Sequence, residues 1–276
     1  MPRSRGRFRP RLVTLSSDIG YAYAAQMKAV LARSLSPGRI VDLAHDLPPH
    51  SIEEAAFVVR AMAVGFPPGT VHVVVVDPGV GGRRFPIAID CRDGSRLVGP
   101  DNGVLFPLAE KLGLRGTYRI EPERWGRDRA RVGTTFDGRD VFAPAAARLA
   151  RGLRPSALGP SISPRALRIP NAHRGAQGAT GRVVHVDHFG NLITNVPAEW
   201  VPPRTRRIDV RIGRASRRGL PWTTSYEALG LHRTGVLGSS FGTVELAVAR
   251  ARASDRFRVG LGAPVSFRWR GSPVAG

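Results

Sequence analysis

Cysteine, lysine and acidic side chains are all scarce in this chain. Cys91 is the only cysteine among 276 residues, which excludes an intramolecular disulfide and any cysteine-built zinc cluster from a single copy. Lys28 and Lys111 are the only lysines, so nearly all of the 42 basic residues are arginine, and with 21 acidic residues the formal net charge is +21. No run approaches the roughly 20 unbroken apolar residues of a membrane-crossing helix. The basic start, MPRSRGRFRPR, is not followed by the apolar core of a secretory signal. Together these absences predict a cytoplasmic protein without membrane association or redox chemistry. A basic surface attracts phosphates, but the arginines are spread along the chain rather than massed on one element, so nucleic acid is not expected as a partner. Residues 1–10 are expected to form a basic, disordered arm.

What is present is a long apolar inventory, 42% of the residues, enough to bury a substantial core. RLVTLSSDIG (11–20) reads as a strand entering a turn and AYAAQMKAVLARSL (22–35) as a helix. GRIVDLAHDL (38–47) is a second strand. SIEEAAFVVRAMAVGF (51–66) is a helix capped by Ser51 with Glu54 three residues on, and TVHVVVVDPG (70–79) is a third strand. That alternation predicts a mostly parallel sheet covered on both faces. Such sheets place ligands beyond the carboxyl ends of their strands, which marks Asp18, Asp46 and Asp77. RLVGPDNGVLFPLAEKLG (96–113) adds a strand, a turn and a helix, and TTFDGRDVFAPAAARLARG (134–152) a loop and an alanine-rich helix. From 181 onward, short alternating runs separated by turn residues predict an antiparallel β domain. The expected organisation is an arm (1–10), an α/β catalytic domain (11–160), a Pro/Gly/Ser-rich linker (161–180) and a C-terminal β domain (181–276).

Local readings compete at several positions. GVGG (79–82) superficially suggests a phosphate loop, but Arg84 stands where G-x-G-x-x-G needs its last glycine. HVDHF (185–189) alternates on a strand, so His188 faces away from His185 and Asp187 and no metal site is expected. DGRD (137–140) reads equally well as a helix cap with a salt-bridge patch. Asp42, His45 and Asp46 read as strand-end groups that satisfy backbone donors.

Seven blocks then occur in one order: VTLSSDIGYAYAAQMKAVL, IVDLAHDLPPHSIEEAAFVV, FPPGTVHVVVVDPGVGGRR, LVGPDNGVL, TTFDGRDVFAPAAA, VDHFGNLITNV and SSFGTVELAV. In these blocks the chain resembles the S-adenosyl-L-methionine (SAM) hydroxide adenosyltransferases, or SAM hydrolases, whose relatives include fluorinases and chlorinases. The resemblance implies an α/β N-terminal domain, a smaller β-barrel-like domain, and a homotrimer with sites at subunit interfaces. It also implies attack of water on the ribose 5′ carbon of SAM, giving adenosine and L-methionine. The sulfonium is already a good leaving group, so no metal or organic cofactor is expected.

By the same resemblance Asp77 and Arg84 are the first two members of a water-handling Asp-Arg-His triad. Where the family pattern reads Thr-Phe-His-Gly-Arg-Asp this chain reads TFDGRD, which puts Asp137 in the histidine's place. Asp18 matches the carboxylate that holds the ribose hydroxyls. Thr135 and Phe136 match the wall beside the ribose, and His50 the lip near the reacting carbon. Asp187 and Asn191 match residues at the methionine end, Ser240 a contact to the methionine carboxylate, and Phe241 a position that is often arginine in halogenases. Ala249 stands near where the family often has an adenine-contacting Asn. Two alternatives stay open: a halide-dependent, chlorinase-like adenosyltransferase, or a non-catalytic protein that binds SAM or adenosine.

Overall fold

A computed structural model describes residues 11–125 and 135–270; the basic segment 1–10 lies outside them. Two compact units divide the chain, residues 1–168 and 169–276. The first runs β1 (Val13–Ser17), α1 (Gly20–Ala32), β2 (Ile40–Ala44), α2 (Ile52–Ala63), β3 (Val71–Val75), β4 (Pro86–Cys91), β5 (Arg96–Pro100), α3 (Phe106–Leu112), β6 (Leu114–Arg119) and α4 (Ala143–Ala150). Its sheet has the order β2-β1-β3-β5-β4-β6. The pairs from β2 to β5 are parallel, and β4 is antiparallel to both its neighbours.

Every residue of β3 is buried, which is why it reads as an unbroken valine-rich run instead of an alternating one. Val71, Val73 and Val75 face a core that includes Met27 and Leu31 of α1 and Ala143, Ala146 and Ala150 of α4. The opposite face carries His72, whose ring meets Phe66 just beyond α2 at 6.0 Å. Ser51 precedes α2, but its side chain caps no backbone donor; its hydroxyl points to Glu54 at 3.4 Å. The serine half of the capping box expected there is therefore not formed.

His72 is a buried titratable group on a central strand, bonded through Nδ1 to Thr14 Oγ1 at 2.8 Å. Burial, only partly offset by Asp93, lowers its pKa from 6.5 to about 4. The unfolded chain therefore binds this proton before the folded one does, and stability falls as pH drops from 6.5 towards 4. Denaturant titrations across that window should lose on the order of 3 kcal/mol in the native protein. A His72→Gln variant should show a clearly shallower slope.

The second unit runs β7 (His173–Gly175), β8 (Gly178–Val186), β9 (Leu192–Pro197), β10 (Arg207–Ile212), β11 (Ala215–Thr223), β12 (Thr234–Gly238), β13 (Thr243–Val248), α5 (Ala253–Phe257) and β14 (Pro264–Arg270). Seven strands close into a barrel, β14-β10-β11-β12-β13-β9-β8, because β8 pairs back onto β14, while β7 is appended to β8. β11 and β12 run parallel, so the barrel is mixed where a purely antiparallel domain was expected. Its core includes Val183, Leu192, Ile208, Val236, Leu246 and Phe267. The segment 161–180 is only partly a linker: the division falls after Arg168, and β7 with the start of β8 occupies residues 173–175 and 178–180. All three residues of β7 are exposed, so they carry no apolar alternation by which a strand could be read.

Candidate active site

β1 and β3 are parallel neighbours, so their carboxyl ends share one rim. Asp18 directly follows β1, its amide donating to Val75 O at 3.3 Å, and Asp77 follows β3 by one residue. Beyond Asp77 the chain folds back in two tight turns, with Val80 N donating to Asp77 O at 3.2 Å and Gly82 N to Gly79 O at 3.0 Å. Gly81 has φ 74°, a left-handed conformation that glycine adopts without steric cost. The glycine-rich bend thus serves to bring Arg84 back over Asp77.

Arg84 Nε donates to both Asp77 oxygens, at 3.1 Å and 2.9 Å, and Nη2 donates to Asp77 Oδ2 and, at 2.5 Å, to Asp137 Oδ2. All three side chains are nearly buried, exposed by 9%, 5% and 4%. Burial opposes the charge on Arg84, but its bonds to Asp77 and Asp137 outweigh that and raise its pKa. Asp137 opens a wide helical turn, Gly138–Phe142, in which Ala143 N donates to Gly138 O; such π-type turns recur at functional sites. A Cβ on Gly138 would lie 3.0 Å from the Phe136 ring and 3.1 Å from Met27 Sδ, so any side chain here must displace its neighbours. The cap reading of DGRD is not realised by Asp137, whereas its salt-bridge reading is: Arg139 grips both oxygens of Asp140 at 2.8 Å.

Asp77 and Asp137 open onto a cavity of about 340 Å³, also lined by Asp18, Ile19, His50, Val80, Thr135, Phe136 and Gly138. Arg84 is absent from that lining; it holds from behind the two carboxylates that face the space. Six residues expected at the site therefore meet at one hollow. His50 has φ 64°, a strained conformation for a residue with a side chain, and its amide donates to Asp18 Oδ2 at 2.9 Å. That bond holds Asp18 at the rim. Asp46 follows β2, the parallel neighbour of β1, but is exposed and does not line the hollow.

A supporting chain beneath Asp18 was not foreseen. Ser17 Oγ meets His45 Nδ1 at 2.8 Å, His45 Nε2 meets Asp42 Oδ1 at 3.1 Å, and Lys28 Nζ donates to Asp42 Oδ2 at 2.7 Å. Since an ionised carboxylate only accepts, Nε2 donates to Asp42, and in the neutral ring Nδ1 accepts from Ser17. Burial works against the Asp42 carboxylate, but its bonds to Lys28 and His45 outweigh it and lower its pKa. Ser17 and His45 are 0% and 1% exposed, so this Ser-His-Asp arrangement is not a nucleophilic triad. It ties the ends of β1 and β2 together. The spacing Asp42-x-x-His45 is the sequence signal of this link, and among the described residues its side chains bond to each other and not to backbone donors.

In the second unit Asp187 closes the loop between β8 and β9. Its Oδ1 accepts from Asn191 N at 2.8 Å and its Oδ2 from Asn191 Nδ2 at 2.9 Å. Asn191 Nδ2 also reaches Tyr226 Oη at 3.4 Å, and Tyr226 Oη donates to Glu245 Oε1 at 2.5 Å. Burial raises the Glu245 pKa by more than the Tyr226 bond lowers it, and Asp187 adds to the rise. Tyr226 and Glu245, neither read from the sequence, thus fix Asn191 from behind. Phe241 stands edge-on to His185 at 5.7 Å, and Ser240 is exposed. Ala249 is 9% exposed in an apolar cluster with Leu229, Leu237 and Ala247. Its amide donates to Arg233 O and its carbonyl accepts from His232 N. Among the described residues no group of three or more His, Cys, Asp or Glu could hold a metal ion.

Comparison with known proteins places these features in a family. The chain is 37% identical over 250 residues to an (R)-S-adenosyl-L-methionine hydrolase of Salinispora tropica, covering 88% of this chain and 92% of that protein. It is 39% identical over 268 residues to one of Thermus thermophilus, covering 92% and 98%. A fluorinase of an Actinoplanes species is more distant, 26% identical over 223 residues, covering 67% and 71%. A solved structure of a conserved protein from Thermotoga maritima superimposes with a TM-score of 0.85 at 30% identity, covering 93% of this chain and all of that one. Family models for the SAM hydroxide adenosyltransferase N-terminal and C-terminal domains match residues 13–159 and 181–266. The chain belongs to the SAM hydroxide adenosyltransferase family.

Proposed function

We propose that the protein hydrolyses SAM to adenosine and L-methionine. The observation that carries this reading is the pair of carboxylates, Asp77 and Asp137, bridged by Arg84 and facing a hollow that Asp18 also lines. In the reaction a water oxygen bonds to the ribose 5′ carbon while the carbon–sulfur bond breaks and its electron pair returns to the methionine sulfur. The water gives up one proton. Asp77 orients the water and receives that proton, and Arg84 holds the carboxylate in place. Asp18 suits the two ribose hydroxyls, with Thr135 and Phe136 as the wall and His50 as the lip. Asp187 and Asn191 are assigned to the methionine end, with Ser240 and Phe241 beside them and Ala249 towards adenine. The leaving group is already cationic, so neither metal nor organic cofactor is required for its departure. A homotrimer with sites at subunit interfaces and a cytoplasmic location belong to the same proposal. No helix among the described residues is long and apolar enough to cross a membrane, and buried Cys91 has its thiol pushed up to about 12, mainly by burial.

Purified protein incubated with SAM, with and without chloride, should yield adenosine and methionine in equal amounts at a rate indifferent to halide. Formation of 5′-chloro-5′-deoxyadenosine would establish the halide alternative, and SAM binding without turnover the non-catalytic one. Asp137→His should preserve or raise turnover, measured as adenosine release, because it restores the residue expected from the family pattern. A collapse of rate would show that the site works through two carboxylates.

A further inference from the structure

The outer face of the barrel unit carries a groove that the proposed reaction does not use. Its volume is about 570 Å³, and Arg174, Arg211, Arg218 and Arg268 supply the positive groups of its lining. Strand register sets the layout. Ser216 of β11 pairs with Arg211 of β10, Arg211 with Ser266 of β14, Ser266 with Thr180 of β8, and Thr180 with His173 of β7. One transverse row of hydroxyl, guanidinium and imidazole groups therefore crosses five strands, all of them lining the groove. In the next row Arg268 pairs with Asp209 on one side and Gly178 on the other.

The charges in this groove are largely uncommitted. Arg174, Arg211 and Arg218 are exposed and make no side-chain hydrogen bond or ion pair among the described residues, while Arg268 reaches only Gln177, at 3.4 Å. Asp209, the carboxylate of the lining, already accepts from Gly219 N at 2.7 Å. Four interstrand steps of about 4.8 Å give the row a contour of roughly 19 Å, with Arg211 as its guanidinium and Arg174, Arg218 and Arg268 placed off it in the same groove. Four exposed guanidinium groups spread over β7, β10, β11 and β14 exceed what one small anion needs and suit a repeating one. Phe267 is 3% exposed, so His173 is the lone exposed ring of the lining, too little to stack a run of unpaired bases.

From this geometry we infer that the groove is a docking site for the phosphate backbone of duplex DNA, bound without regard to base sequence. The arginines involved lie at 174, 211, 218 and 268 in the chain, which is why they look scattered in the sequence. The test is fluorescence anisotropy of two labelled duplexes of unrelated sequence between about 50 and 200 mM salt. Both should bind alike. In Arg174→Ala/Arg211→Ala/Arg218→Ala the dependence of log K on log salt should flatten by about 2.7, near 0.9 per lost phosphate contact. A control with equal loss of charge, Arg33→Ala/Arg60→Ala/Arg154→Ala, should keep the native slope. Both variants should keep the native melting temperature and SAM turnover. Absence of binding by the native protein, equal slopes in the two variants, or discrimination between the duplexes would overturn the inference. So would a changed oligomeric mass of the groove variant by light scattering, which would assign this face to contacts between copies.

Discussion

Asp77→Asn is expected to lower the first-order rate of adenosine release about 1,000-fold, in the middle of the range for loss of a general base. An amide preserves the shape of the carboxylate but cannot take the proton of an attacking water. Substrate affinity should change little, since Asp18 and the walls of the hollow remain. Calorimetric titration of the variant with SAM measures that affinity directly. Equal loss of binding and turnover would mean that Asp77 is a substrate clamp, and the assigned role would fail.

Arg84→Met should be the most destabilising single change at this site. It removes the cation shared by two nearly buried carboxylates, and breaking a buried ion pair from one side typically costs about 3–5 kcal/mol. The loss arises from the stranded charges more than from the missing attraction. Combining Arg84→Met with Asp77→Asn and Asp137→Asn should therefore recover much of the stability while leaving the protein inactive. Denaturant unfolding of the single and triple variants measures this. If the triple variant were the less stable, Arg84 would contribute through packing, for example through its contact with the Phe142 ring at 5.6 Å.

Several parts of the fold were legible because they depend on near neighbours in the chain. β3 shows itself as an apolar run because both its faces are covered, and Asp18 and Asp77 follow from strand ends in a parallel sheet. The parts that escaped are those whose residues make sense only against distant partners. β4 is set by antiparallel pairing with β5 on one side and β6 on the other. β7 is exposed throughout. Glu245 and Tyr226, 19 residues apart, carry no local mark of their link to Asn191.

By itself the sequence determined the alternation of strands and helices in the first unit, the carboxylates at its rim, and the replacement of a histidine by Asp137 within an otherwise familiar block. Tertiary structure alone decided that Arg84 reaches across 53 residues to Asp137, that β8 closes the barrel onto β14, and that scattered arginines line one groove. The division has one cause. Periodicity and turn chemistry act over a few residues, whereas ion pairs, barrel closure and surface charge depend on which distant segments the folded chain brings together.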